Sequence, residues 1–512
     1  MFIRSLFTGS FPLTKRLYSV TANLPTIYAL ATSRGHKSAI AILRVSGSQT
    51  KLIYESLTGH SIQRLKPRYA YITKIYSLQT ASNESSSLID SPLMLYFPKP
   101  NSYTGEDMIE FHLHGGEAII SSVIKNISHL HDPEKSINIK YAEPGEFSKR
   151  AFQNGKLDLT EAESINNLIN AETEMQRKSV MSSFNGNNKA LFTKWREQLV
   201  VSMGKLTALI DFADDNEIEN GNSFQLLDEI ESEVMLVKSE VVDFVDRLNK
   251  SKLLLDGIKL VLFGSPNVGK SSILNCITNE ETAIVSDIPG TTRDSINTVI
   301  DMNGYKVVIV DTAGIRNKSK DSIELIGIEK AKQKFFEGDI CLLVLDATNP
   351  MIDPVLLEMI ALQNDHQMKR LVIVLNKTDL VSNADILRIR QDLYQNKFLK
   401  EKPIITAVSC KNLNGIPELL TLLTKQCEEL TTEQEGVEPI IMSERVKDIL
   451  NKDILYGIDE FLQNKKEKNI SDLIILSETL QYSIDGIGKI LGDAVGLDEV
   501  LDVVFSKFCI GK

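Results

Sequence analysis

The chain has 512 residues, 42% hydrophobic and 24% charged, with a formal net charge of −11; the length exceeds one hydrophobic core, so about three domains are expected. The acidic balance excludes a surface that adheres to nucleic acid everywhere, so RNA would be held by a local patch or a partner. Cysteines 276, 341, 410, 427 and 509 lie far apart with no CxxC pair, which argues against a disulfide framework, and no uncharged apolar run reaches the ~18 residues of a membrane helix.

In chain order, the first segment is basic: Arg4, Lys15, Arg16, Arg34, Lys37, Arg44 and Lys51 precede the first acidic residue, Glu55. MFIRSLFTGSFPLTKRLYSV mixes basic, hydroxyl and apolar side chains as a mitochondrial transit peptide does, and Arg16-Leu17-Tyr18-Ser19 resembles a matrix-protease site. Residues 1–22 are therefore set aside as a targeting segment, implying the mitochondrial matrix. Over 23–145, short β-rich runs (TIYALAT, AIAILRVSG, SPLMLYFPKP, DMIEFHLHGG) alternate with helix-like stretches, predicting a small α+β domain.

From 146 to 255 glycine and proline almost vanish, and apolar residues recur at spacings of three and four, predicting several amphipathic helices. The same pattern resumes over 431–512, which is too short for a comfortable core of its own. The economical architecture is one all-α helical domain interrupted by an inserted domain, 256–430. There IKLVLF, KVVIVD, ICLLVLD, RLVIVLN and PIITAVS alternate with helical stretches, predicting a parallel sheet covered on both faces, a Ras-like α/β fold.

This insert carries a nucleotide signature. Gly264-Ser265-Pro266-Asn267-Val268-Gly269-Lys270-Ser271 follows IKLVLF and precedes the helical SSILNCIT, with Ser272 next. Backbone N–H groups of such a loop wrap phosphates, Lys270 reaches the β and γ oxygens, and the Ser271 hydroxyl suits Mg²⁺. Asp311-Thr312-Ala313-Gly314 ends the next strand, where a carboxylate acts on Mg²⁺ through water and the Gly314 N–H meets the γ-phosphate. Asn376-Lys377-Thr378-Asp379 ends RLVIVLN; the Asp379 carboxylate suits guanine N1–H and N2–H, which adenine lacks. Ser409-Cys410-Lys411 backs the base. The order of these elements predicts a GTPase.

Ser286-Asp287-Ile288-Pro289-Gly290-Thr291-Thr292 falls where the first switch belongs, with Thr292 the second hydroxyl for Mg²⁺. Ras-like proteins place a water-orienting glutamine just after the DTAG element; here stands Ile315, which can do no such work. A monovalent cation is one source of the missing charge: Asn267 offers a side-chain oxygen and the 286–291 stretch offers backbone carbonyls. On spacing alone, Asn267 also reads as an ordinary loop-capping residue.

The chain resembles the MnmE (TrmE) family of tRNA-modification GTPases, its mitochondrial branch in particular, over nearly all residues after the presequence. The resemblance rests on AILRVSG (41–47), PNSYTGEDMIEFHLHGG (100–116), PGEFSKRAFQNGKLDLTEAE (144–163), DIPGTTRD (287–294), IELIGIEKA (323–331) and the terminal Phe508-Cys509-Ile510-Gly511-Lys512. It implies that, with a flavin (FAD)-dependent partner of the MnmG/GidA type, the chain installs a carboxymethylaminomethyl-type group on C5 of the wobble uridine of mitochondrial tRNAs. The one-carbon unit would come from a tetrahydrofolate derivative, 5-formyl or methylene, and the amine from glycine or taurine. It also implies a homodimer formed through the N-terminal domain, which would be the folate-binding domain.

By the same resemblance, Asn267, Ser286, Ile288 and Thr291 match potassium positions, Ser271 and Thr292 magnesium ligands, and Glu324 the glutamate that orients hydrolysis through a water. Arg44, Glu110, Lys156 and Lys512 match folate-binding positions. A carboxylate suits the amide-like edge of a pteridine, and cations suit a glutamyl tail. Cys509 is a candidate nucleophile beside Lys512 or a small apolar contact. His112 and His114 alternate on a strand without further metal ligands. The rival reading is a regulatory or ribosome-assembly GTPase with no modification chemistry of its own.

Overall fold

The computed structural model describes residues 24–511 except 36, 79–86, 185–186, 212–221, 284–296, 311–334, 355, 358–359, 361–369, 396–402, 433–438, 465–469, 493–500, 502–503 and 507. The chain divides into two compact units: Met1–Glu163 with Gly488–Lys512, and Ser164–Ile487.

The first unit is built on strands β1 (Thr26–Leu30), β2 (Ile40–Ser46), β3 (Tyr71–Ile72), β6 (Leu93–Phe97), β7 (Met108–His114) and β8 (Ile139–Tyr141), with a small separate pair β4 (Ile75–Tyr76) and β5 (Leu88–Asp90). The six strands lie in the order β3-β6-β7-β2-β1-β8. Alternation along the strands sorts the faces. Leu43, Val45, Phe111, Leu113 and Met94 turn inward with Ile53 and Leu57 of α1 (Thr50–Thr58) and Val123 and Ile127 of α2 (Glu117–Ser128). Arg44 and Glu110 therefore fall together on the opposite face, as cross-strand neighbours of β2 and β7.

The chain's last residues belong to this unit. Helix α3 (Glu146–Gln153) precedes α4 (Leu159–Ile169); Phe505 and Phe508 bury against Leu159 and Ala162 of α4, and Ile510 forms a bridge with Pro144. Two glycines make the close approach possible. A Cβ on Gly145 would sit 2.4 Å from the Phe505 carbonyl oxygen, and one on Gly511 2.3 Å from that of Leu30. Ile470–Leu491 is helical as expected over 431–512, and Phe505 and Phe508 of the tail use this unit's surface.

In the second unit, α5 (Glu174–Phe184), α6 (Asn187–Asp211) and the 35-residue α7 (Asn222–Asp256) precede the inserted sheet. Helices α6 and α7 pair through Phe192, Trp195 and Phe244, whose rings lie 5.5–5.6 Å apart, and Trp195 Nε1 donates to Glu240 at 2.7 Å. After the sheet, Glu444–Ile449 continues through a π-helical stretch, Leu450–Leu455, into Tyr456–Asn464, followed by Ile470–Leu491. These helices return to α7: Lys252 pairs with Glu444 at 2.7 Å, Lys238 with Asp459 at 2.6 Å, and the Ile440 N–H donates to Ser251 Oγ at 3.0 Å. The insert interrupts one all-α body.

The insert is a seven-stranded sheet: β9 (Ile258–Phe263), β10 (Thr282–Ala283), β11 (Asn297–Met302), β12 (Tyr305–Val310), β13 (Ile340–Asp346), β14 (Arg370–Asn376) and β15 (Ile404–Ala407), in the order β10-β11-β12-β9-β13-β14-β15. Five strands are parallel as expected, but β10 and β11 are antiparallel additions at one edge. Strand β11 escaped notice because it alternates rather than running apolar. Its signal was the Asn303-Gly304 turn, with φ of 49° and 92°, a strong hairpin marker. Both faces are covered. One holds Leu260, Leu262, Val372 and Val374 against α8 (Lys270–Glu280) and α10 (Ile416–Thr431), and the other Phe263, Leu343, Ile373 and Leu375 against α9 (Asn383–Tyr394).

Candidate functional site

The loop 264–269 leaves the carboxyl end of β9, the central strand of the seven, and enters α8, the place where open α/β sheets bind ligands. Its backbone admits only certain residues. Gly264 has φ +147° and a Cβ there would meet the Val344 carbonyl oxygen at 2.3 Å; Gly269 has φ +97° and a Cβ there would meet Asn376 Nδ2 at 2.1 Å. Asn267 also takes a left-handed φ of 62°, which asparagine tolerates better than most residues. The result is a cradle at a helix N-terminus, suited to phosphate. Lys270 Nζ donates to the Gly264 and Ser265 carbonyls at 2.8 Å each, so the ammonium is held over the loop. Val268 is buried as the anchor, whereas Asn267, Ser271 and Ser272 are exposed to a ligand.

The carboxyl ends of β14 and β15 meet this loop. Asn376, 2% exposed, donates through Nδ2 to the Val268 carbonyl at 3.0 Å, tying the end of β14 to the phosphate cradle. Lys377 takes a left-handed φ of 64° and pairs with Asp346 at the end of β13. Burial opposes ionisation of Asp346, but hydrogen bonds from Lys377 and Thr348 hold its carboxyl below the usual range. Asp379 is exposed and accepts from Ser409 Oγ at 2.7 Å, so the loops after β14 and β15 are locked to each other. Cys410 is half-buried; burial, with the Cys276 thiol beside it, pushes its thiol up to about 12. Lys411 is exposed. The structure thus brings together Asn267 to Ser272, Asn376, Lys377, Asp379 and Ser409 to Lys411. Ser286, Asp287, Ile288, Pro289, Gly290, Thr291, Thr292, Asp311, Thr312, Ala313, Gly314, Ile315 and Glu324 lie outside the described residues.

The first unit carries a second cluster. Arg44 Nε donates to Glu110 Oε1 at 2.9 Å, and its guanidinium lies 5.2 Å from the Tyr103 ring centroid and 5.7 Å from that of Phe147. Arg44 Nη1 also donates to the Gly511 carbonyl at 3.3 Å, which connects the tail to this ion pair. Beside them is a cavity of about 380 Å³ lined by Glu110, Tyr103, Phe97, Met108, Lys156 and Arg68, of the size that small-molecule sites occupy. Glu110 Oε2 is not used by Arg44, so the carboxylate retains acceptor capacity towards an amide-like edge. The donor set fits a flat heteroaromatic ligand with an anionic end.

The 98–107 loop that forms the cavity wall is fixed by Arg150. It is 3% exposed, reaches Glu106 at 3.0 Å and Glu146 at 3.0 Å, and donates to the Pro25 carbonyl at 2.7 Å. Cys509 is exposed at the tail, and Lys512 lies outside the described residues. His112 and His114 do not form a metal pair: His114 Nδ1 engages the buried Asp90 at 2.7 Å and His112 Nε2 lies 3.7 Å from Glu110, and no metal-ligand cluster occurs among the described residues. Arg68, which sequence reasoning passed over, lines the cavity; its signal was a Pro-Arg pair where Pro-Gly is usual in a tight turn.

Comparison with known proteins identifies the family. The family model for the MnmE helical domain matches residues 159–509, and that for the GTP-binding protein TrmE N-terminus matches 26–156. The chain is 47% identical over 502 residues to the mitochondrial tRNA modification GTPase MSS1 of Saccharomyces cerevisiae, covering 96% of this chain and 94% of that one. It is 36% identical over 495 residues to the mitochondrial 5-taurinomethyluridine-[tRNA] synthase subunit GTPB3 of Danio rerio, covering 95% and 93%. To the tRNA modification GTPase MnmE of Rickettsia bellii it is 36% identical over 491 residues, covering 96% and 100%. With a phosphate cradle tied to the loops that end β14 and β15, and with both family models matched in their order along the chain, this protein belongs to the MnmE/TrmE family of tRNA-modification GTPases.

Proposed function

We propose that the chain is a potassium-dependent GTPase that, with a flavin-dependent partner of the MnmG/GidA type, modifies C5 of the wobble uridine of mitochondrial tRNAs with a carboxymethylaminomethyl-type group. The observation that supports it best is the pairing, in one chain, of a guanine-type nucleotide site with the Arg44–Glu110 cluster that receives the C-terminal tail through Gly511. An assembly GTPase needs no such second cluster.

In this reading Ser271 and Thr292 hold Mg²⁺, Asn267, Ser286, Ile288 and Thr291 hold K⁺, and Glu324 orients the attacking water. The monovalent cation, when bound, supplies positive charge at the β–γ bridging oxygen, the work of an arginine finger elsewhere. Glu110 binds the pteridine edge of a tetrahydrofolate derivative, Lys156 and Lys512 its anionic end, and Arg44 holds Glu110 and the tail in register. Cys509 stands at the modification chemistry. The domain reading is 1–22 transit peptide, 23–145 folate-binding and dimerisation domain, 146–255 and 431–512 helical domain, and 256–430 GTPase domain, in a homodimer of the matrix. The relatives named as mitochondrial support that location.

The test is mass spectrometry of wobble nucleosides in mitochondrial tRNA from cells lacking the protein. The modified uridine should disappear and return with the wild-type chain. Its persistence would leave only the assembly reading.

A further inference from the structure

We infer that Arg68 is a specificity residue of the N-terminal cavity, poised to take a carboxylate of a folate's glutamyl tail, so that the site selects folates carrying that tail. The inference rests on the folate reading above and concerns a residue to which that reading gives no role.

The backbone supplies the first observation. Lys66-Pro67-Arg68-Tyr69 is a tight turn closed by the Tyr69 N–H donating to the Lys66 carbonyl at 3.3 Å. Arg68, at its third position, has φ +59°. Proline second and a left-handed residue third is the type II pattern, whose third place favours glycine or asparagine. An arginine there carries a backbone cost that glycine would not, which directs attention to its side chain.

The second observation is where that side chain goes. The Arg68 N–H donates to the Tyr96 carbonyl at 2.8 Å and its Nη2 to the Asn101 carbonyl at 2.9 Å, and it lines the same cavity as Glu110 and Lys156. The guanidinium is thus tethered at one corner, and its remaining N–H groups are left to bind a carboxylate through two parallel bonds.

Charge supplies the third. Arg44 is neutralised by Glu110, but among the described residues neither Arg68 nor Lys156 pairs with a carboxylate. Once Glu110 faces the ligand's amide-like edge, Arg68 and Lys156 are the cations of the cavity lining left for its other end, where a glutamyl group presents two carboxylates and Lys512 is already assigned beside Lys156.

The experiment measures equilibrium binding of three probes to the full-length protein: 5-formyltetrahydropteroate, which lacks glutamate, 5-formyltetrahydrofolate, and its triglutamate. Wild type should bind both glutamylated probes more tightly than the pteroate, by about 10- to 100-fold, as charge-assisted hydrogen bonds allow. Arg68→Gly, which suits the turn, should stay folded with unchanged GTP affinity while most of that preference is lost, and Arg68→Lys should recover part of it. An Arg68→Gly variant that keeps the wild-type preference overturns the inference and leaves the folate reading standing. Failure of all three probes to bind wild type overturns the folate reading itself, and the inference with it.

Discussion

Replacing Asn376 by alanine isolates the link between base reading and phosphate binding. The side chain is 2% exposed and its amide donates to the Val268 carbonyl at 3.0 Å, directly behind the phosphate cradle. Removing it strands a carbonyl beneath a buried valine, and stranding one buried partner costs ~1–3 kcal/mol. The Asn376 carbonyl keeps its bond from the Ala347 N–H at 2.9 Å, so β14 itself should persist. The released loop must then be ordered by the nucleotide, which puts the cost into binding. GTP and GDP affinity should both fall by about 5- to 150-fold, measured by calorimetry at a temperature where thermal melting shows the variant fully folded. A dissociation constant within about twofold of wild type would refute the idea that this amide couples the two loops.

Asp379→Asn should weaken GTP by ~1–3 kcal/mol through loss of the acceptor for guanine and raise relative affinity for xanthosine triphosphate; competition between the two nucleotides checks it, and an unchanged ratio refutes base reading by Asp379. Hydrolysis should run faster in K⁺ than in Na⁺ at equal ionic strength, with Asn267→Ala losing that difference while GTP binding persists; phosphate release in the two salts decides. Glu324→Ala should slow turnover in every salt by at most ~3–4 kcal/mol, or on the order of 100- to 1000-fold, in the same assay. Iodoacetamide at pH 8 should label exposed Cys509 well before Cys410, whose thiol is pushed up to about 12, with peptide mass spectrometry as the readout. Because the folded value lies above the unfolded one, the stability from keeping Cys410 neutral is present below about pH 8.5 and is lost as pH rises towards 12.

The parallel strands were legible because burial on both faces demands near-continuous apolar runs, and the phosphate loop because its glycines answer to sterics that few residues survive. At Gly269 the structure gives that demand a cause: the space a Cβ would need is filled by Nδ2 of Asn376, distant in the chain but one hydrogen bond from the same loop. The motif residues were therefore readable singly, and their mutual support was not. Ser409 reads as a loop residue until its hydroxyl is seen 2.7 Å from Asp379.

The N-terminal cluster shows why the rest was hidden. Arg44 and Glu110 are cross-strand partners on β2 and β7, an antiparallel register set by which faces of two distant segments are buried. No local pattern announces that register, so resemblance alone nominated those residues. Strand burial then explains them: Leu43, Val45, Ile109 and Phe111 are all buried within 1% of full coverage, which leaves the alternate positions no choice but the opposite face. An ion pair 14–18% exposed there gains little if it is merely structural. Its geometry is better explained by what it holds in place, namely a carboxylate edge facing the cavity and the Gly511 carbonyl of the tail. The C-terminal residues are thus drawn to the N-terminal sheet by a donor on β2, with Phe505 and Phe508 supplying the apolar burial that Arg44 alone could not.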